Sequence, residues 1–338
     1  CLACLVPVAM TGCGDSDNPD AAAVQESGGA ATGGSASTKS GKASPAAKTV
    51  EQAVALIQQQ QFQSAVEVLN QAIEQDGEYA EADFQRAGIY ADAGRDEEAI
   101  ADYNKALAMA PKETRFLNMK GLFLLTRQKY DEASATFTKA TKIDPSFAKA
   151  YNNRGLVELA RRDFAAAARD FQKGIDIDPK YVDAYNNFGF ACYQNGDDAK
   201  ALKAFNQALE LSPDYFNAYN NRAMLYMRAE KYAEAAEDFT KAIELNDGNI
   251  QLHLSRMTAW RELGRDDLAR ADEDRVRWLQ GLAQIDANIR KSPDSARGYI
   301  QRASHLAEGG HSQIALTSFE KALELSPGDA DALTTVSY

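Results

Sequence analysis

The chain contains 338 residues, of which 37 are basic and 49 acidic, and its formal net charge is -12 at pH 7. This acidic balance argues against a nucleic-acid partner, because nucleic acids are bound through basic surfaces. A chain of this length ordinarily suggests more than one domain. An internal repeat removes that expectation here, because the core of a repeat protein grows by stacking copies.

The N-terminal residues 1–10 form an apolar run that is too short to span a bilayer. Such a run is typical of the end of a signal peptide, and we interpret residues 1–12 as a signal-peptide remnant. The Met-Thr-Gly-Cys sequence at 10–13 resembles the lipobox of bacterial lipoproteins, in which the signal is cut before a cysteine that receives lipid. This resemblance implies that Cys13 is lipidated. The alternative is a simple secretory signal with an incidental cysteine.

Residues 13–45 are rich in Gly, Ala, Ser and Thr and contain almost no large apolar side chains. Such a segment cannot bury enough apolar surface to offset the entropy of ordering the chain. We therefore predict that 13–45 is a disordered, lipid-anchored linker. A flexible chain of this length has an end-to-end distance of about 30 Å.

A 34-residue period organises most of the chain. The segment Tyr-Asn-Asn-Arg-Gly at 151–155 returns in similar form at 185–189 and at 219–223. Six units fit 46–249 without a gap, and a further unit fits 296–329. Recurrence at a fixed period of this size indicates a repeat architecture. The strictest test is an alanine that recurs at one position of all eight units, as Ala65, Ala99, Ala133, Ala167, Ala201, Ala235, Ala269 and Ala315.

This pattern resembles the tetratricopeptide repeat family, whose unit is a helix, a short turn and a second helix. The resemblance implies an all-α fold, a right-handed α-solenoid of about eight helix-turn-helix repeats. The residues agree, because Gly155 and Ala167 are small where two antiparallel helices must touch, and Phe171 fills the space beside that contact. Pro179 ends the second helix, since proline cannot continue one. One helix pair cannot bury its apolar face alone, so several stacked copies are needed.

The seventh unit departs from the pattern. It places Glu273 where other units have a large apolar residue, and extra residues precede the next unit. Apolar positions at three- and four-residue steps within 266–291 predict a second helix of about 25 residues, weakened at Gly281. We assign 250–295 to this divergent repeat, and 296–338 to the eighth repeat with a partial C-terminal cap. The divergent region is either a hinge after a six-repeat body or a short inserted helix without consequence.

The sequence contains no nucleophile elbow, phosphate-binding glycine loop or paired metal-ligand motif. His253 occupies a position that is tyrosine in other units, so we interpret it as a packing residue. Cys192 falls at a helix position held elsewhere by Leu56, Tyr90 and Tyr226, and we interpret it as a small buried apolar residue. We therefore predict that the protein is not an enzyme and uses no cofactor, metal or small-molecule substrate.

In the tetratricopeptide repeat family the first helices line a concave groove, and the resemblance implies a peptide-binding site there. Asn153, Asn187 and Asn221 are similar to a ladder by which some members hold a peptide backbone, since an amide both donates and accepts hydrogen bonds. We expect these side chains to point into an open groove, although asparagine at this position is also common where no ladder exists. The full predicted set is Asn152, Asn153, Asn186, Asn187, Asn220, Asn221 and Tyr193, with Leu156, Phe190 and Met224 forming apolar pockets.

These features predict a scaffold for protein–protein interaction: an exported lipoprotein that binds an extended peptide or a partner helix in its groove. The lipid on Cys13 holds it to the membrane. The resemblance to bacterial lipoproteins places it in the cell envelope, at the outer membrane and facing the periplasm. Two other functions stay open. One is the regulatory arm of a larger enzyme system, because the motifs are similar to those of repeat-bearing sugar transferases. The other is a structural assembly protein that self-associates through its C-terminal end.

Overall fold

The structure is a computed structural model that describes residues 44–327, and this range contains sixteen α-helices and no β-strand. The predicted all-α repeat fold is therefore confirmed. The signal remnant 1–12, the lipidation site Cys13 and residues 328–338 of the predicted cap lie outside the described residues. In chain order the helices are α1 (Ala47–Gln58), α2 (Phe62–Gln75), α3 (Ala80–Asp92), α4 (Asp96–Met109), α5 (Thr114–Thr126), α6 (Tyr130–Ile143), α7 (Ala148–Ala160), α8 (Phe164–Ile177), α9 (Val182–Gln194), α10 (Asp198–Leu211), α11 (Phe216–Arg228), α12 (Tyr232–Leu245), α13 (Ile250–Glu262), α14 (Asp266–Lys291), α15 (Ala296–Glu308) and α16 (Ser312–Leu325).

The described residues begin inside the predicted linker 13–45, at Ser44, and residues 13–43 of that linker lie outside them. Ser44 is buried, and its hydroxyl donates a hydrogen bond to Asp76 Oδ2 at 2.6 Å. The backbone N–H of Ala46 in turn donates to Ser44 Oγ at 3.2 Å. Residue 44, which the prediction includes in the linker 13–45, therefore belongs to the first repeat.

The chain divides into two compact units, with the division between Asp197 and Asp198. The described part of the first unit contains α1–α9, and that of the second contains α10–α16. Within each unit, consecutive helices pack against each other, and each complete repeat supplies a first and a second helix. The division falls inside the fifth 34-residue repeat, whereas the sequence analysis considers a hinge only in the seventh. That hinge stays a prediction.

The turn inside each repeat has one recurrent backbone geometry. One residue of the turn has a positive φ, between 57° and 83°, in all eight repeats within 44–327. The next residue donates its N–H to the carbonyl five positions earlier, as Lys129 does to Leu124 at 2.9 Å, which is the pattern that commonly ends helices. This hydrogen bond holds the tight turn even where glycine is absent. The positive-φ residues are Gly94, Gly196, Gly264 and Gly310 in four repeats, and Gln60, Gln128, Arg162 and Glu230 in the others.

The core contains the predicted contact between small residues and an aromatic ring. Ala167 and Phe171 are fully buried. Gly155 lies so close to this ring that a Cβ on it would stand 2.7 Å from Phe171 Cε1. Because carbon atoms prefer separations of about 3.5–4.0 Å, a larger residue at 155 would force the ring to move. Gly121 has the same relation to Phe137.

The long second helix of the seventh repeat runs from Asp266 to Lys291, 26 residues, without a break at Gly281. Gly281 is instead a point of close approach, because a Cβ there would lie 2.9 Å from His305 Cε1. The Trp278 ring stacks on His305 and on His311, with ring centroids 5.2 and 5.0 Å apart, and its Nε1 donates to the His305 carbonyl at 3.1 Å. The C-terminal half of α14 is therefore packed on the following repeat, and the shorter inserted helix is not observed.

Candidate peptide-binding face

The predicted asparagines lie at equivalent places on successive first helices. The fifth residue is asparagine on α5, α7, α9 and α11, and the sixth is asparagine on the last three. Because successive residues turn by about 100° around a helix, these two positions occupy one side of it. In the first unit, α5 contacts α7 and α7 contacts α9, so this side faces the neighbouring first helix. We call the side of α5, α7 and α9 that carries their fifth, sixth, ninth and twelfth residues the first-helix face.

The asparagines of this face bond to one another across repeats. Asn153 Nδ2 donates to Asn118 Oδ1 at 2.8 Å, and Asn187 Nδ2 donates to Asn152 Oδ1 at 3.1 Å. Within α7, Asn152 Nδ2 donates to Asn153 Oδ1 at 3.3 Å. On α9, Asn186 Nδ2 donates to Asn187 Oδ1 at 3.5 Å. A continuous amide network therefore joins the first helices of three consecutive repeats.

The burial of these side chains corrects the expectation that they point into an open groove. Asn152 is 4% exposed and Asn153 8%, and Asn118 and Asn186 are buried as well. The close approach of adjacent first helices covers them. The hydrogen bonds between their side-chain amides satisfy polar groups that would otherwise be costly to bury. Asn187 is half-buried and is the one member of this network that keeps accessible surface. In the second unit, the predicted residues Asn220 and Asn221 are also buried, on α11.

The predicted apolar residues are more accessible than the asparagines. Leu156 is half-buried and packs on the cluster that contains Phe171. Phe190 and Tyr193 are half-buried neighbours on α9, with ring centroids 6.5 Å apart and planes tilted by 36°. Met224, in the second unit, is half-buried against the cluster that contains Phe239.

The apolar positions form two rows on the first-helix face. The ninth residues of α5, α7 and α9 are Leu122, Leu156 and Phe190, and the twelfth are Leu125, Leu159 and Tyr193. All six are half-buried. The structure thus leaves apolar surface at matching places in three consecutive repeats, beside the amide network.

A second recurrent arrangement, which the sequence analysis misses, joins the two helices of a repeat. An arginine at the seventh position of the first helix binds both oxygens of an aspartate 16 residues later, at 2.6–2.9 Å. The aspartates are buried or nearly so, and the pairing is bidentate, which is the stronger geometry for these ions. The recurrence of Arg and Asp 16 residues apart is the sequence pattern from which these pairs could have been predicted. The pairs are Arg86 with Asp102, Arg154 with Asp170, Arg222 with Asp238, and Arg256 with Asp272.

His253 is the packing residue that the sequence predicts, with hydrogen bonds in addition. It is buried, and its Nδ1 lies 2.9 Å from Asp272 Oδ1 while its Nε2 lies 3.1 Å from the Asp247 carbonyl oxygen. Burial acts to raise the pKa of Asp272, but the hydrogen bonds from His253 and Arg256 outweigh it and hold that pKa below the usual value. Cys192 is buried in α9, as predicted.

Within the described residues, no group of three His, Cys, Asp or Glu side chains is placed to hold a metal ion. The same part of the chain has no helix with the length and apolar character needed to cross a membrane. Two clefts in this part of the chain are open to solvent, with volumes of 420 and 520 Å³. The fold and the first-helix face thus define a helical repeat protein whose accessible features are extended surfaces.

Tetratricopeptide repeat sequence models match residues 50–114, 118–182, 171–203 and 216–249, and a TPR repeat model matches 189–229. Together these matches cover more than half of the chain. The protein belongs to the tetratricopeptide repeat family.

Several solved structures are similar. PilF of Pseudomonas aeruginosa is 20% identical with a TM-score of 0.55, and the match covers 64% of this chain and 97% of PilF. A tetratricopeptide repeat protein from Parabacteroides merdae ATCC 43184 is 18% identical with a TM-score of 0.49, covering 76% and 97% of the two chains. MamA from Desulfovibrio magneticus RS-1 is 20% identical with a TM-score of 0.45, covering 50% and 96%. At 20% identity the similarity to PilF shows the fold alone. No curated protein sequence matches the chain.

Proposed function

We propose that this protein, a tetratricopeptide repeat scaffold for protein interaction, is not an enzyme and binds an extended peptide or a partner helix on its first-helix face. The observation that carries this proposal is the pair of apolar rows, which stay only half-buried in three consecutive repeats. A partner with apolar side chains at helical or extended spacing would cover both rows. Membership of the family supports a protein partner in preference to a small molecule.

The buried asparagines have a different role in this proposal from the accessible ones. Asn118, Asn152 and Asn153 hold adjacent first helices in register through hydrogen bonds between their side-chain amides. They therefore set the shape of the first-helix face. Asn187 keeps accessible surface beside Phe190, and its amide is the one that would bind a backbone group of the peptide. The contact surface is therefore mainly apolar, with a single polar anchor in the first unit.

Photocrosslinking in intact cells tests the location of the contact. A photoreactive phenylalanine analogue in place of Phe190 is expected to crosslink a protein partner, because this side chain lies within the apolar rows. The same analogue in place of Gln172, which is exposed on the second helix α8, is the matched control and should give no such product. Crosslinking at 172 but not at 190 would show that the partner binds another face.

Replacement of Asn187 by alanine is expected to weaken binding of the crosslinked partner segment by about 2- to 10-fold, which is the usual net effect of one hydrogen bond exchanged against water. Both this substitution and Asn153→Ala leave buried amide groups of two neighbouring asparagines unpaired. The melting temperature should fall less in Asn187→Ala, because Asn187 is half-buried and its hydrogen bonds, at 3.1 and 3.5 Å, are longer than those of Asn153, at 2.8 and 3.3 Å. Isothermal titration and thermal denaturation of both variants give the two quantities. An Asn187→Ala variant with unchanged affinity, next to a weakened Phe190→Ala variant, would leave the asparagines a structural role only.

We further propose that lipid on Cys13 tethers the protein to the membrane, with the repeats facing the periplasm from the outer membrane of a bacterial envelope. The lipobox-like sequence at 10–13 supports this proposal. Cys13→Ala is expected to move the protein from the membrane fraction to the soluble fraction, whereas Cys4→Ala, the matched control, should not. Mass spectrometry of the N-terminal peptide should show acyl chains on Cys13. Membrane retention of Cys13→Ala after complete signal removal would contradict the proposal.

A further inference from the structure

A cleft of 420 Å³ lies between the second helices α4 and α6, above the first helix α5. The cleft belongs to the first unit. It lies at the place in its repeat where other repeats have the arginine–aspartate pair described above. Lys120 is two residues beyond Asn118, about 200° around α5, so the cleft is on the opposite side of this helix from the first-helix face. Its lining includes Asn104, Leu107, Leu117, Lys120, Thr136 and Lys139.

The third repeat retains the cation of the recurrent pair and loses its carboxylate. Lys120 stands at the arginine position, and Thr136, 16 residues later, stands at the aspartate position. Lys120 Nζ donates to Asn104 Oδ1 at 2.7 Å, as Arg222 Nη1 donates to Asn206 Oδ1 at 2.6 Å in the sixth repeat. The inter-repeat hydrogen bond of the cation is thus preserved, and only its ionic partner is missing.

No carboxylate of residues 44–327 forms an ion pair with Lys120 in place of that partner. Glu132 acts on Lys120 only through its charge, without a direct contact. The Thr136 hydroxyl donates a hydrogen bond to the Glu132 backbone carbonyl of its own helix at 2.7 Å. Lys139 lines the same cleft and adds a second cation to a protein that is acidic as a whole.

Lys120 is half-buried, which makes a missing counter-charge more consequential than at the surface. Its burial lowers its pKa; Glu132 acts in the opposite direction, and the charge of Lys139 adds to the lowering. A carboxylate brought into the cleft would restore the ionic environment that the aspartate supplies in four other repeats. Such an ion pair in a partly desolvated cleft is stronger than one on an open surface.

We propose that this cleft is a binding site for a carboxylate of a partner protein, held by Lys120 with Lys139 beside it. The carboxylate occupies the place that Asp102, Asp170, Asp238 and Asp272 occupy in their own repeats. The site lies on a different side of α5 from the proposed peptide-binding face. The protein therefore has a second contact surface, which recognises an acidic residue or a chain terminus.

Titration of the full chain with short synthetic peptides tests this proposal. Lysine side chains are marked by biosynthetic incorporation of ¹³C-lysine, which keeps their charge and all three N–H donors, and the Lys120 signal is assigned from its loss in Lys120→Met. One probe is an amidated peptide with a central glutamate; the second carries glutamine instead and a free C-terminal carboxylate; the third, with glutamine and an amidated end, is the uncharged control. We expect a saturable shift of the Lys120 signal with one or both carboxylate probes and none with the control. The responding probe identifies the source as a side chain or a terminus.

Two substitutions separate this site from general attraction to lysines. Thr136→Asp supplies an internal carboxylate where the other repeats have one, so it should weaken probe binding by about tenfold while keeping the fold. Thr136→Asn, of similar size but uncharged, should retain binding. Lys120→Met lacks the reporter signal, so its affinity is measured by isothermal titration. It should abolish binding, whereas Lys173→Met, at an exposed position on α8, should not. Absence of a saturable shift at Lys120, or equal affinity in Thr136→Asp, would overturn the proposal.

Discussion

Replacement of Asp272 by alanine is expected to lower the free energy of unfolding of the second unit by about 3–5 kcal/mol, the usual effect of removing one partner of a buried ion pair. Asp272 is 2% exposed and accepts hydrogen bonds from Arg256 at 2.6 and 2.9 Å, and its Oδ1 lies 2.9 Å from His253 Nδ1. Its removal leaves Arg256 without an ionic partner and His253 with one contact fewer. Two polar side chains of α13 thus depend on one carboxylate of α14.

Urea denaturation followed by tryptophan fluorescence measures this effect. Trp260 and Trp278 are the two tryptophans of the chain and both lie in the second unit, so the signal reports the unit that contains Asp272. The matched control is Asp267→Ala, because Asp267 pairs with Arg265 at an exposed position of the same helix, and exposed pairs contribute at most about 1 kcal/mol. Equal effects of the two substitutions would show that the buried network is not the stabilising element.

The same carboxylate makes the free energy of unfolding of the second unit depend on pH. The pKa of Asp272 is lowered in the folded protein relative to about 3.9 in an unfolded chain. A lowered pKa means that the folded state favours the ionised form, so this contribution is fully present above the unfolded value and is lost as the pH falls through the folded one. The difference in unfolding free energy between the wild type and Asp272→Asn should therefore narrow below about pH 4. A difference that stays constant down to pH 3 would contradict the assignment.

Replacement of Phe171 by alanine is expected to lower the free energy of unfolding of the first unit by about 3–5 kcal/mol, the usual range for a fully buried phenylalanine. The ring is 0% exposed and packs in one cluster with Ala167 and Ala191. It also lies against Gly155, where there is no side chain to refill the space. The cavity therefore stays open unless the helices shift.

Circular dichroism at the helical minimum follows this change, since both tryptophans lie in the other unit. The matched control is Phe62→Ala, which removes from α2 an aromatic side chain that is 44% exposed. This substitution should lower the free energy of unfolding far less. Tryptophan fluorescence should report an unchanged transition if the two units unfold independently. A small effect of Phe171→Ala on the helical signal would show that the repeat collapses around the lost ring.

Much of the fold is predictable from the sequence because its determinants are local and repeat every 34 residues. The alanine of the second helix, the aromatic beside it and the turn position after the first helix recur in register, and each predicts the conformation of its own helix pair. The prolonged second helix of the seventh repeat is likewise visible in the apolar spacing of 266–291, and the structure has it at Asp266–Lys291. The alanine, the aromatic and the turn residue interact within one repeat, and the prolonged helix shows in the apolar spacing of its own residues, so a pattern along the chain is enough for each.

Only the tertiary structure decides which side chains are partners across repeats. Asn152 and Asn153 look accessible as isolated helix positions, but they are buried, and Asn153 donates a hydrogen bond to the preceding first helix while Asn152 accepts one from the following first helix. Gly281, expected to weaken α14, admits the His305 ring instead. The Arg–Asp spacing recurs in the sequence, but only the contacts in the other repeats show that these residues are ion pairs and that Lys120 lacks the corresponding carboxylate. The periodicity of a helix determines which face of that helix a residue occupies. Burial and pairing depend on the adjacent helix, whose position that periodicity does not determine.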